Sequence, residues 1–520
     1  MATETLAADA LAPVEPAAGT GVADANWTPM PARWSDRRTA GLLFGGTLLV
    51  YLAVLHGQID VYDTKAMYAV TENLVNHFAL HTGGAGFHDS FHQATPYSPY
   101  GIAMSILAVP FYAASKGIGH SAVLVSLVNP LLTSASVVVI YRIGRAFRWG
   151  AVHSLMAAVA YGLFTMAVWY STEGFSEPGV ALCVVVIVLG IIRWGQGSYW
   201  APLWVGLAAA AAPQFRSDSL FTVWVGLLAV PLFVPWRRIL RVRPLAMILG
   251  PMGLSAVLLV VYNELRFHRP FVSSYGSGQG LDNPLGHGLH GLLFSSGKSL
   301  FLYNPLAVLG VVGLVLLLVR ARPVGLLMLF LIVPRILFFS KWSVWDGGWC
   351  WGPRFLLPTL PLFMLAAVEV LRASDPRRWP GVAARVSAGV LAAASVVANF
   401  LSVRVPISQW LGVLATPAQH ALYGLPALVG GGARQQAADF VWSTGSLWGN
   451  AVLVRHGTGV MAPDLWLHGH GWLGVTLLVT GLGVVAAAVY GARPSTPHQH
   501  ARTHSSARTG RLAVEDEPTM

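Results

Sequence analysis

The feature that most constrains this chain is a series of apolar blocks, each about 20 residues long and free of charge. The first runs from Thr39 to Ile59 and contains no Lys, Arg, Asp or Glu. A helix needs about 20 apolar residues to cross the hydrocarbon core of a bilayer. Only 11% of the 520 residues are charged, whereas about 25% are charged in a typical soluble protein. The blocks therefore predict an all-α polytopic membrane protein and exclude a soluble globular fold.

About twelve of these blocks are candidate transmembrane spans: 39–57, 121–141, 150–170, 178–194, 200–214, 219–236, 244–262, 300–319, 323–340, 355–371, 385–402 and 470–491. The apolar stretch 97–117 is short and is interrupted by Pro99 and Pro110. The arginines form five clusters, at 33–38, 142–148, 237–243, 320–322 and 372–378. If the stretch 97–117 lies on the membrane surface, all five clusters fall on one side of the membrane. If it spans, the cluster at 33–38 lies opposite the others. Because basic loops face the cytoplasm, we predict a surface position and cytoplasmic termini.

The same reasoning divides the chain and explains its charge. We predict a disordered cytoplasmic tail at 1–38, a membrane-embedded module at 39–402, an outer loop with the last span at 403–492, and a second disordered tail at 493–520. Because basic cytoplasmic loops account for the net charge of +11, the charge does not indicate a nucleic-acid partner. Two cysteines, Cys183 and Cys350, are too few for a disulfide framework or a zinc site.

The carboxylates follow a pattern that orientation alone does not require. All ten acidic residues between positions 39 and 368 fall on the predicted outer side: Asp60, Asp63, Glu72, Asp89, Glu173, Glu177, Asp218, Glu264, Asp282 and Asp346. Acidic residues contribute little to membrane orientation. We therefore expect some of these carboxylates to be functional, and Asp60 and Asp63 stand directly after the first span.

Several polar residues on the predicted outer side have two interpretations. Arg216 either extends toward the membrane surface or forms a salt bridge with Asp218. The tryptophans between 342 and 351 fit either an interfacial aromatic belt or a shaped loop rich in glycine. The segment "FHDSFH" (87–92) has residues that bind metals but no evident fourth ligand, so a divalent cation is an open alternative. Arg335, inside a span, must face protein, water or a phosphate.

Six segments resemble one family of membrane enzymes: "YDTKAMYAVTENLV", "YSPYGIAMSILAVPFY", "FSEP", "LRFHRPF", "GLLFSSGKSLFLYNPL" and "WDGGWCWGPRFLLPTLPLF". They occur in order over residues 40–370. The chain resembles a GT-C superfamily glycosyltransferase that uses a polyprenyl-phosphate sugar, similar to the protein O-mannosyltransferase and aminoarabinose-transferase enzymes. The resemblance implies a GT-C-like bundle whose first outer loop carries a catalytic aspartate and amphipathic surface helices. Residues 400–470 carry no motif of this family.

The resemblance and the side-chain chemistry together suggest roles for individual residues. Matching the motif puts the catalytic base on Asp63 and leaves Asp60 as an alternative, because the spacing to Tyr68 differs by one residue from the family pattern. Cations suit a lipid phosphate, and the candidates are Arg216, Arg266, His268, Arg269, Lys341 and Arg354. The substrate-binding candidates are Glu177, Tyr97, Trp345 and Asp346. No residue is assigned to a metal.

The implied reaction is an inverting transfer of a sugar from polyprenyl phosphate to an acceptor hydroxyl on a glycan, a lipid or a protein. We expect it at the outer face of a bacterial cytoplasmic membrane, in cell-envelope biogenesis. The alternative is a multi-span transporter or a flippase for lipid-linked sugars. Such proteins are often built from internal repeats with ionisable residues at the membrane midplane. The halves of this chain show no repeat, and most of the acids lie in predicted outer loops, which favours an enzyme.

Overall fold

The computed structural model describes residues 33–59, 61–83, 87–88, 94–95, 97–271, 279–423, 425, 431–458 and 463–493. Twelve helices precede residue 270: α1 Asp36–Ala53, α2 Tyr62–His77, α3 Ala103–Ile118, α4 Ser121–Ser126, α5 Val128–Ala146, α6 Ala151–Phe164, α7 Ala167–Thr172, α8 Glu177–Gly195, α9 Ala201–Phe215, α10 Ser219–Thr222, α11 Trp236–Ile239 and α12 Val242–Phe267. Twelve follow it: α13 Leu285–Phe294, α14 Leu300–Tyr303, α15 Ala307–Arg320, α16 Arg322–Lys341, α17 Leu360–Ala373, α18 Trp379–Arg404, α19 Ile407–Ala415, α20 Pro417–Leu422, α21 Gly431–Phe440, α22 Ser446–Arg455, α23 Asp464–Leu467 and α24 Gly471–Ala492.

Short elements complete the described ranges. Three 3₁₀ helices cover Trp224–Leu232, Arg354–Thr359 and Trp442–Thr444. Two strands of two residues each, β1 Phe87–His88 and β2 Ala94–Thr95, pair antiparallel in the first loop. Helices make up nearly all the regular structure of the described chain, which confirms the predicted all-α class.

The predicted spans all fall on helical segments. Seven of these segments are long and apolar enough to cross a membrane: 121–146, 177–195, 242–267, 322–341, 354–373, 379–404 and 471–492. The remaining predicted spans fall on helices shorter than about 19 residues. The polytopic membrane class is therefore supported by the helices themselves, and the number twelve remains a prediction.

The span predicted at 219–236 departs most from a regular α-helix. It consists of the four-residue α10 followed by the 3₁₀ helix Trp224–Leu232. Pro231 lies inside this segment and removes one backbone donor. The hydroxyl oxygen of Thr222, at the end of α10, accepts a hydrogen bond from Arg335 at 3.0 Å. The regular α-helix thus ends near Thr222, the residue that contacts the buried Arg335.

Helices α2 and α3 form the helical part of the first loop and pack against each other. The Ser105 hydroxyl donates to the carbonyl of Met67 at 2.9 Å, and the Thr71 hydroxyl donates to the carbonyl of Ser105 at 3.2 Å. On the other side of α3, the side chains of Ile106 and Leu107 are exposed. This pair of helices matches the arrangement expected for the first loop, and its position on the membrane surface remains a prediction.

Arginines at three basic helix ends contact neighbouring segments. Arg145, at the end of α5, forms an ion pair with Asp36 at the start of α1, with Nε and Oδ1 3.0 Å apart. Arg372, at the end of α17, lies over the ring of Trp149 between α5 and α6. Arg243, at the start of α12, lies over the ring of Tyr199 between α8 and α9. These contacts bring the basic ends of α5 and α17 close to the start of α1 and to the loop after α5, and the membrane side that the basic ends face remains a prediction.

The first and last long helices lie side by side. A Cβ added at Gly46 of α1 would lie 2.8 Å from a methyl carbon of Val485, and one added at Gly481 of α24 would lie 2.7 Å from the carbonyl oxygen of Gly46. Only glycine allows backbones to approach so closely. At the arginine-rich end, the backbone of Trp34 donates to the carbonyl of Gly491 at 3.0 Å. Helix α24 therefore closes the bundle against α1.

In the described part of the segment between α18 and α24, helix α22 packs on the end of α18. Asn450 of α22 donates to the carbonyls of Leu401 and Val405, at 3.0 and 3.1 Å. Trp410 of α19 is fully buried, and its indole N–H donates to the carbonyl of Thr444 at 2.9 Å. The division of the chain at 402 and 403 remains a prediction, since α18 itself extends to Arg404.

Candidate functional site

Asp63 lies in the first turn of α2, where the positive end of the helix dipole favours a carboxylate. The Tyr100 hydroxyl donates to its Oδ1 at 2.6 Å, and Nη1 of Arg354 donates to its Oδ2 at 2.8 Å. The Asp63 side chain is 13% exposed and the Arg354 side chain is 11% exposed. A carboxylate and an arginine from distant parts of the chain thus meet in a mostly buried pair that remains partly open to solvent.

The turn before Arg354 sets the position of that arginine. Gly347 has a φ of +73°, and a Cβ at this residue would lie 2.9 Å from Cγ and Nε of Arg354. The left-handed backbone and the close approach both require glycine here. The guanidinium lies over the rings of Phe175 and Phe355, with distances of 5.2 and 4.9 Å to the ring centroids. Cation–π contacts of this kind stabilise a buried guanidinium.

Behind Arg354, an alternating series of acids and arginines extends into the helical bundle. Glu177 lies 3.6 Å from Nε of Arg354 and 2.8 Å from Nη1 of Arg216. The same Arg216 contacts Asp218 at 2.8 Å, and Asp218 lies 3.5 Å from Arg335. With Asp63 at the outer end, three carboxylates and three arginines form this ion-pair chain, and their formal charges cancel.

The ion-pair chain defines the surroundings of two arginines that the sequence left open. Arg216 is 3% exposed and Arg335 is 1% exposed. Removing charges from water is costly unless they are paired with good geometry. The sequence allowed Arg216 either to extend toward the membrane surface or to form a salt bridge with Asp218, and the structure shows the salt bridge. Arg335 was expected to face protein, water or a phosphate. It faces protein, because its guanidinium donates to the Thr222 hydroxyl and to the carbonyl of Phe355.

Arg266 is a phosphate candidate that the structure places beside the loop holding Tyr100. Its guanidinium is buried and donates to the carbonyls of Ser98 and Tyr100, at 2.6 and 3.1 Å, and to the side chain of Asn263 at 2.8 Å. Arg266 therefore holds the backbone from which the Tyr100 hydroxyl reaches Asp63. The next two candidates, His268 and Arg269, follow the end of α12 and are exposed.

The remaining predicted residues are spread around this centre. Tyr97 forms a backbone bridge with His81 in the first loop. Lys341 ends α16, and its carbonyl accepts a hydrogen bond from the backbone of Asn283 at 3.1 Å. Trp345 is buried against α13. Asp346 accepts hydrogen bonds from the backbone of Gly348 and from the Gln435 side chain, at 2.8 and 2.9 Å.

Asp60 and part of the possible metal site lie outside the described residues. Asp89 and His92 do as well, and for His88 the description covers only the backbone of β1. Within the part of the chain that the structure describes, His, Cys, Asp and Glu side chains form no group of three that could hold a metal ion. The choice between Asp63 and Asp60 therefore remains a prediction, as does the divalent cation.

Sequence reasoning missed three polar residues of this region. Tyr100 contacts Asp63 directly, although only its place in "YSPYG" drew attention to it. Lys298, in "SSGKS", is buried and donates to the carbonyl of Gly348 at 2.6 Å. His56 is buried and pairs with Glu173. No spacing in the sequence connects these residues with their partners, because each contact joins segments distant in the chain.

A pocket opens beside the first turn of α2. Thr64, the neighbour of Asp63, lines it together with Met67, Met104, Asn129 and Gly174. Its lining is mostly apolar. Within the described chain, Oγ1 of Thr64 and Oδ1 of Asn129 are buried without a hydrogen-bond partner. Buried polar atoms are normally paired, so these two unpartnered oxygens are unusual among the residues that line the pocket.

The fold and the site together define a polytopic helical membrane protein in which a partly exposed carboxylate–arginine pair caps a buried ion-pair chain. No protein-family model matches the sequence, and no curated protein matches it. Among solved structures, the chain is similar to ArnT from Cupriavidus metallidurans in the apo state, with a TM-score of 0.49 and 15% identity over 86% of this chain and 77% of that one. It is also similar to ArnT from Cupriavidus metallidurans bound to undecaprenyl phosphate, with a TM-score of 0.48, 16% identity and the same coverage.

The chain is also similar to the oligosaccharyltransferase AglB from Archaeoglobus fulgidus, in complex with an inhibitory peptide and a dolichol-phosphate. The TM-score is 0.44 and the identity 12%, over 74% of this chain and 59% of that one. ArnT and AglB are members of the GT-C superfamily, which the sequence motifs resemble. The likeness is one of fold alone, and the function proposed below rests on the residues of the site.

Proposed function

We propose that this protein is an inverting membrane glycosyltransferase that moves a sugar from a polyprenyl-phosphate donor to an acceptor hydroxyl. The observation that carries the proposal is the pairing of Asp63 with Arg354 at the partly exposed end of the ion-pair chain. Such a transfer needs a base for the acceptor and a cation for the departing phosphate. This pair supplies both within hydrogen-bonding distance of each other.

The reaction follows from these two groups. The acceptor hydroxyl attacks the anomeric carbon from the face opposite the phosphate, and its proton passes to the Asp63 carboxylate. The bond between the anomeric carbon and the phosphate oxygen breaks, and its electrons leave with the polyprenyl phosphate. One displacement inverts the anomeric centre. Because a phosphate is a good leaving group, the reaction needs no second carboxylic acid to protonate the leaving oxygen.

The Asp63–Arg354 contact gives donor binding a role in preparing the base. In the structure, Nη1 of Arg354 contacts Oδ2 of Asp63. A donor phosphate arriving at Arg354 competes with that carboxylate for the guanidinium, since arginine pairs readily with phosphate oxygens. Asp63 then keeps its hydrogen bond from Tyr100 and turns its other oxygen toward the acceptor. Donor binding thereby frees the base before the acceptor reacts.

The surroundings of the pair suit a lipid substrate. The pocket beside Thr64 has a mostly apolar lining that includes Met67 and Met104. An isoprenoid chain gains free energy when such a surface covers it. We place the reaction at the outer face of a bacterial cytoplasmic membrane, because basic loops remain in the cytoplasm and α1 leads from the basic segment at 33–38 to the loop that carries Asp63. The acceptor belongs to the cell envelope: a glycan, a lipid or a protein.

Replacing Asp63 with Asn tests the proposal. Asn preserves size and removes the base, so transfer from a radiolabelled undecaprenyl-phosphate sugar should fall by about 10²–10⁴-fold. The assay uses purified protein, envelope lipids and glycans as acceptors, and separate arabinose, mannose and glucose donors. Asp282→Asn is the matched control, because Asp282 is an exposed acid on the same predicted side. Donor affinity should survive in Asp63→Asn, since the cation that holds the phosphate remains.

Two outcomes would contradict the assignment. A folded Asp63→Asn protein with normal turnover would remove Asp63 as the base, and an inactive Asp60→Asn protein beside it would transfer the role to Asp60. Movement of an intact lipid-linked sugar across vesicles without formation of a glycosidic bond would favour the flippase alternative instead.

A further inference from the structure

A second polar cluster lies beside the candidate site, on the turn that precedes Arg354. The Lys298 ammonium is buried and donates to the carbonyls of Gly348 and Cys350, at 2.6 and 3.1 Å, and to the sulfur of Cys350 at 3.3 Å. Asp346 caps the same turn by accepting from the backbone of Gly348 at 2.8 Å. The turn 346–352 is thus held by one lysine that belongs to a different segment of the chain.

Helix α21 holds this cluster from the other side. The Gln435 amide donates to Oδ2 of Asp346 at 2.9 Å and to the Asp439 carboxylate at 3.2 and 3.3 Å. The carbonyl of Asp439 accepts from the backbone of Gly297 at 2.9 Å, one residue before Lys298. Helix α21, which lies in the region without a family motif, is therefore hydrogen-bonded both to the turn 346–352 and to the residue before Lys298.

The buried charge of Lys298 is stabilised by neighbouring acidic groups rather than by solvent. Although burial lowers the pKa of Lys298, the Cys350 thiol and the Asp439 and Asp346 carboxylates raise it overall above its ordinary value. Burial raises the pKa of Asp439 to about 7, opposed by Lys298 and reinforced by Asp346. The Lys298 ammonium therefore stays charged, and it keeps its hydrogen bonds to the carbonyls of the turn.

We propose that Lys298, Asp346, Gln435 and Asp439 act as a positioning cluster, which fixes the turn 346–352 and thereby the guanidinium of Arg354 against Asp63. Gly347 lies in this turn and packs directly on the Arg354 side chain, so a shift of the turn moves the arginine. None of the four residues is a catalytic residue. The inference rests on the proposed function for the role of Arg354, and it gives the segment 403–470 a part in the site.

The test uses the thiol inside the turn as a reporter. Cys350 is fully buried, and Cys183→Ala makes it the sole thiol. Gln435→Ala removes the hydrogen bonds from α21 to both carboxylates, so Cys350 should react with N-ethylmaleimide about tenfold faster or more, as local opening increases. Gln436→Ala is the matched control, because Gln436 is the next residue of the same helix and is exposed. It should leave the labelling rate unchanged.

A second arm asks whether the turn positions Arg354. In Gln435→Ala, KM for the undecaprenyl-phosphate sugar should rise by about 10- to 100-fold, the cost expected when a binding group is displaced by about 1 Å. KM for the acceptor should stay constant, which separates positioning from general loss of folded protein. Restoring an amide with Gln435→Asn should recover part of the donor affinity.

A third arm does not depend on any reaction. Gln435→Ala and Asp63→Asn should show non-additive effects on the apparent melting temperature, because contacts that share a network couple energetically. Additive effects, or unchanged labelling of Cys350, would overturn the inference, and so would faster labelling with unaltered donor KM. If Asp63→Asn retains full transfer, the proposed function fails, while labelling and coupling still decide whether α21 positions Arg354.

Discussion

At the scale of single residues, the site depends on charges that are shared rather than isolated. Glu177 contacts both Arg354 and Arg216, and Asp218 contacts both Arg216 and Arg335. Each charge in the interior therefore has an opposite charge on at least one side. At the outer end of the ion-pair chain, Arg354 can exchange the Asp63 carboxylate for a phosphate and still have Glu177 beside it.

This arrangement predicts a structural role for Arg216. Replacing Arg216 with Gln leaves Glu177 and Asp218 without their common partner, and breaking a buried ion pair in this way costs about 3–5 kcal/mol of stability. The apparent melting temperature in detergent, followed by size-exclusion chromatography after heating, should fall clearly. Arg269→Gln, at an exposed arginine, should leave it unchanged. A stable Arg216→Gln protein that has lost only donor affinity would return Arg216 to the phosphate site.

At the scale of elements, the apolar blocks and sequence motifs were sufficient to predict the helices and the position of Asp63. Apolar blocks located every candidate membrane helix, and the motif "YDT" located Asp63 at the start of α2. The partners of Asp63 were harder to predict. Tyr100 was not assigned a role, and Arg354 was one of six cations that chemistry alone could not rank. Their selection depends on how α2, the first loop and the turn at 346–352 meet, which is a property of tertiary packing.

The role of Arg266 shows the same limit. A cation in an outer loop suited a phosphate, yet its guanidinium is directed at the carbonyls of Ser98 and Tyr100. Backbone acceptors leave no trace in the sequence, because every residue has a carbonyl. The function of α21 was also hidden, since a single glutamine and a single aspartate in a polar helix resemble any solvated helix surface.

Helix α21 should make stability depend on pH. The pKa of Asp439 is about 7 in the folded protein against an ordinary value of 3.8. The folded state therefore binds this proton more tightly than the unfolded state, and the resulting stability is lost as pH rises through about 7. The apparent melting temperature should fall as pH rises from about 4 to about 7 and then level off, and the fall should be smaller in Asp439→Asn.

The other ionisable groups around Asp439 define the controls for that measurement. Lys298, Asp346 and Tyr303 interact with it electrostatically, and the rings of His287 and His290 pack on the adjacent Phe440. A histidine also changes charge in this pH range, so the same scan is repeated in His287→Phe/His290→Phe. An equal slope in Asp439→Asn and in the parent would contradict the assignment to Asp439.

At the scale of the whole molecule, the two ends of the bundle have different chemistry. Helix α1 begins in the arginine-rich segment, where Asp36 pairs with Arg145, and it ends shortly before Asp63, the outer member of the ion-pair chain. Asn283 connects α13 to the end of α16 through the carbonyl of Lys341, so the loop containing Asp282 belongs to the end that carries the site.

This polarity predicts the outcome of labelling intact cells. A cysteine introduced at Asp282 should react with a membrane-impermeant maleimide, and one introduced at Arg241 should react only after the membrane is opened. Both positions are exposed in the structure, and the native Cys183 and Cys350 are buried, so the introduced thiol dominates the signal. The reverse pattern would invert the orientation and place the proposed reaction on the cytoplasmic side.

The pairing of α1 with α24 has a consequence for how the protein is made. The ribosome delivers α1 to the membrane long before it synthesises α24, more than 400 residues later in the chain. Until then, the glycine surface of α1 around Gly46 faces lipid or a helper protein instead of its final partner. The bundle can close here only after α24 has been made, so a nascent chain interrupted before Gly471 would leave the surface of α1 around Gly46 without its partner helix.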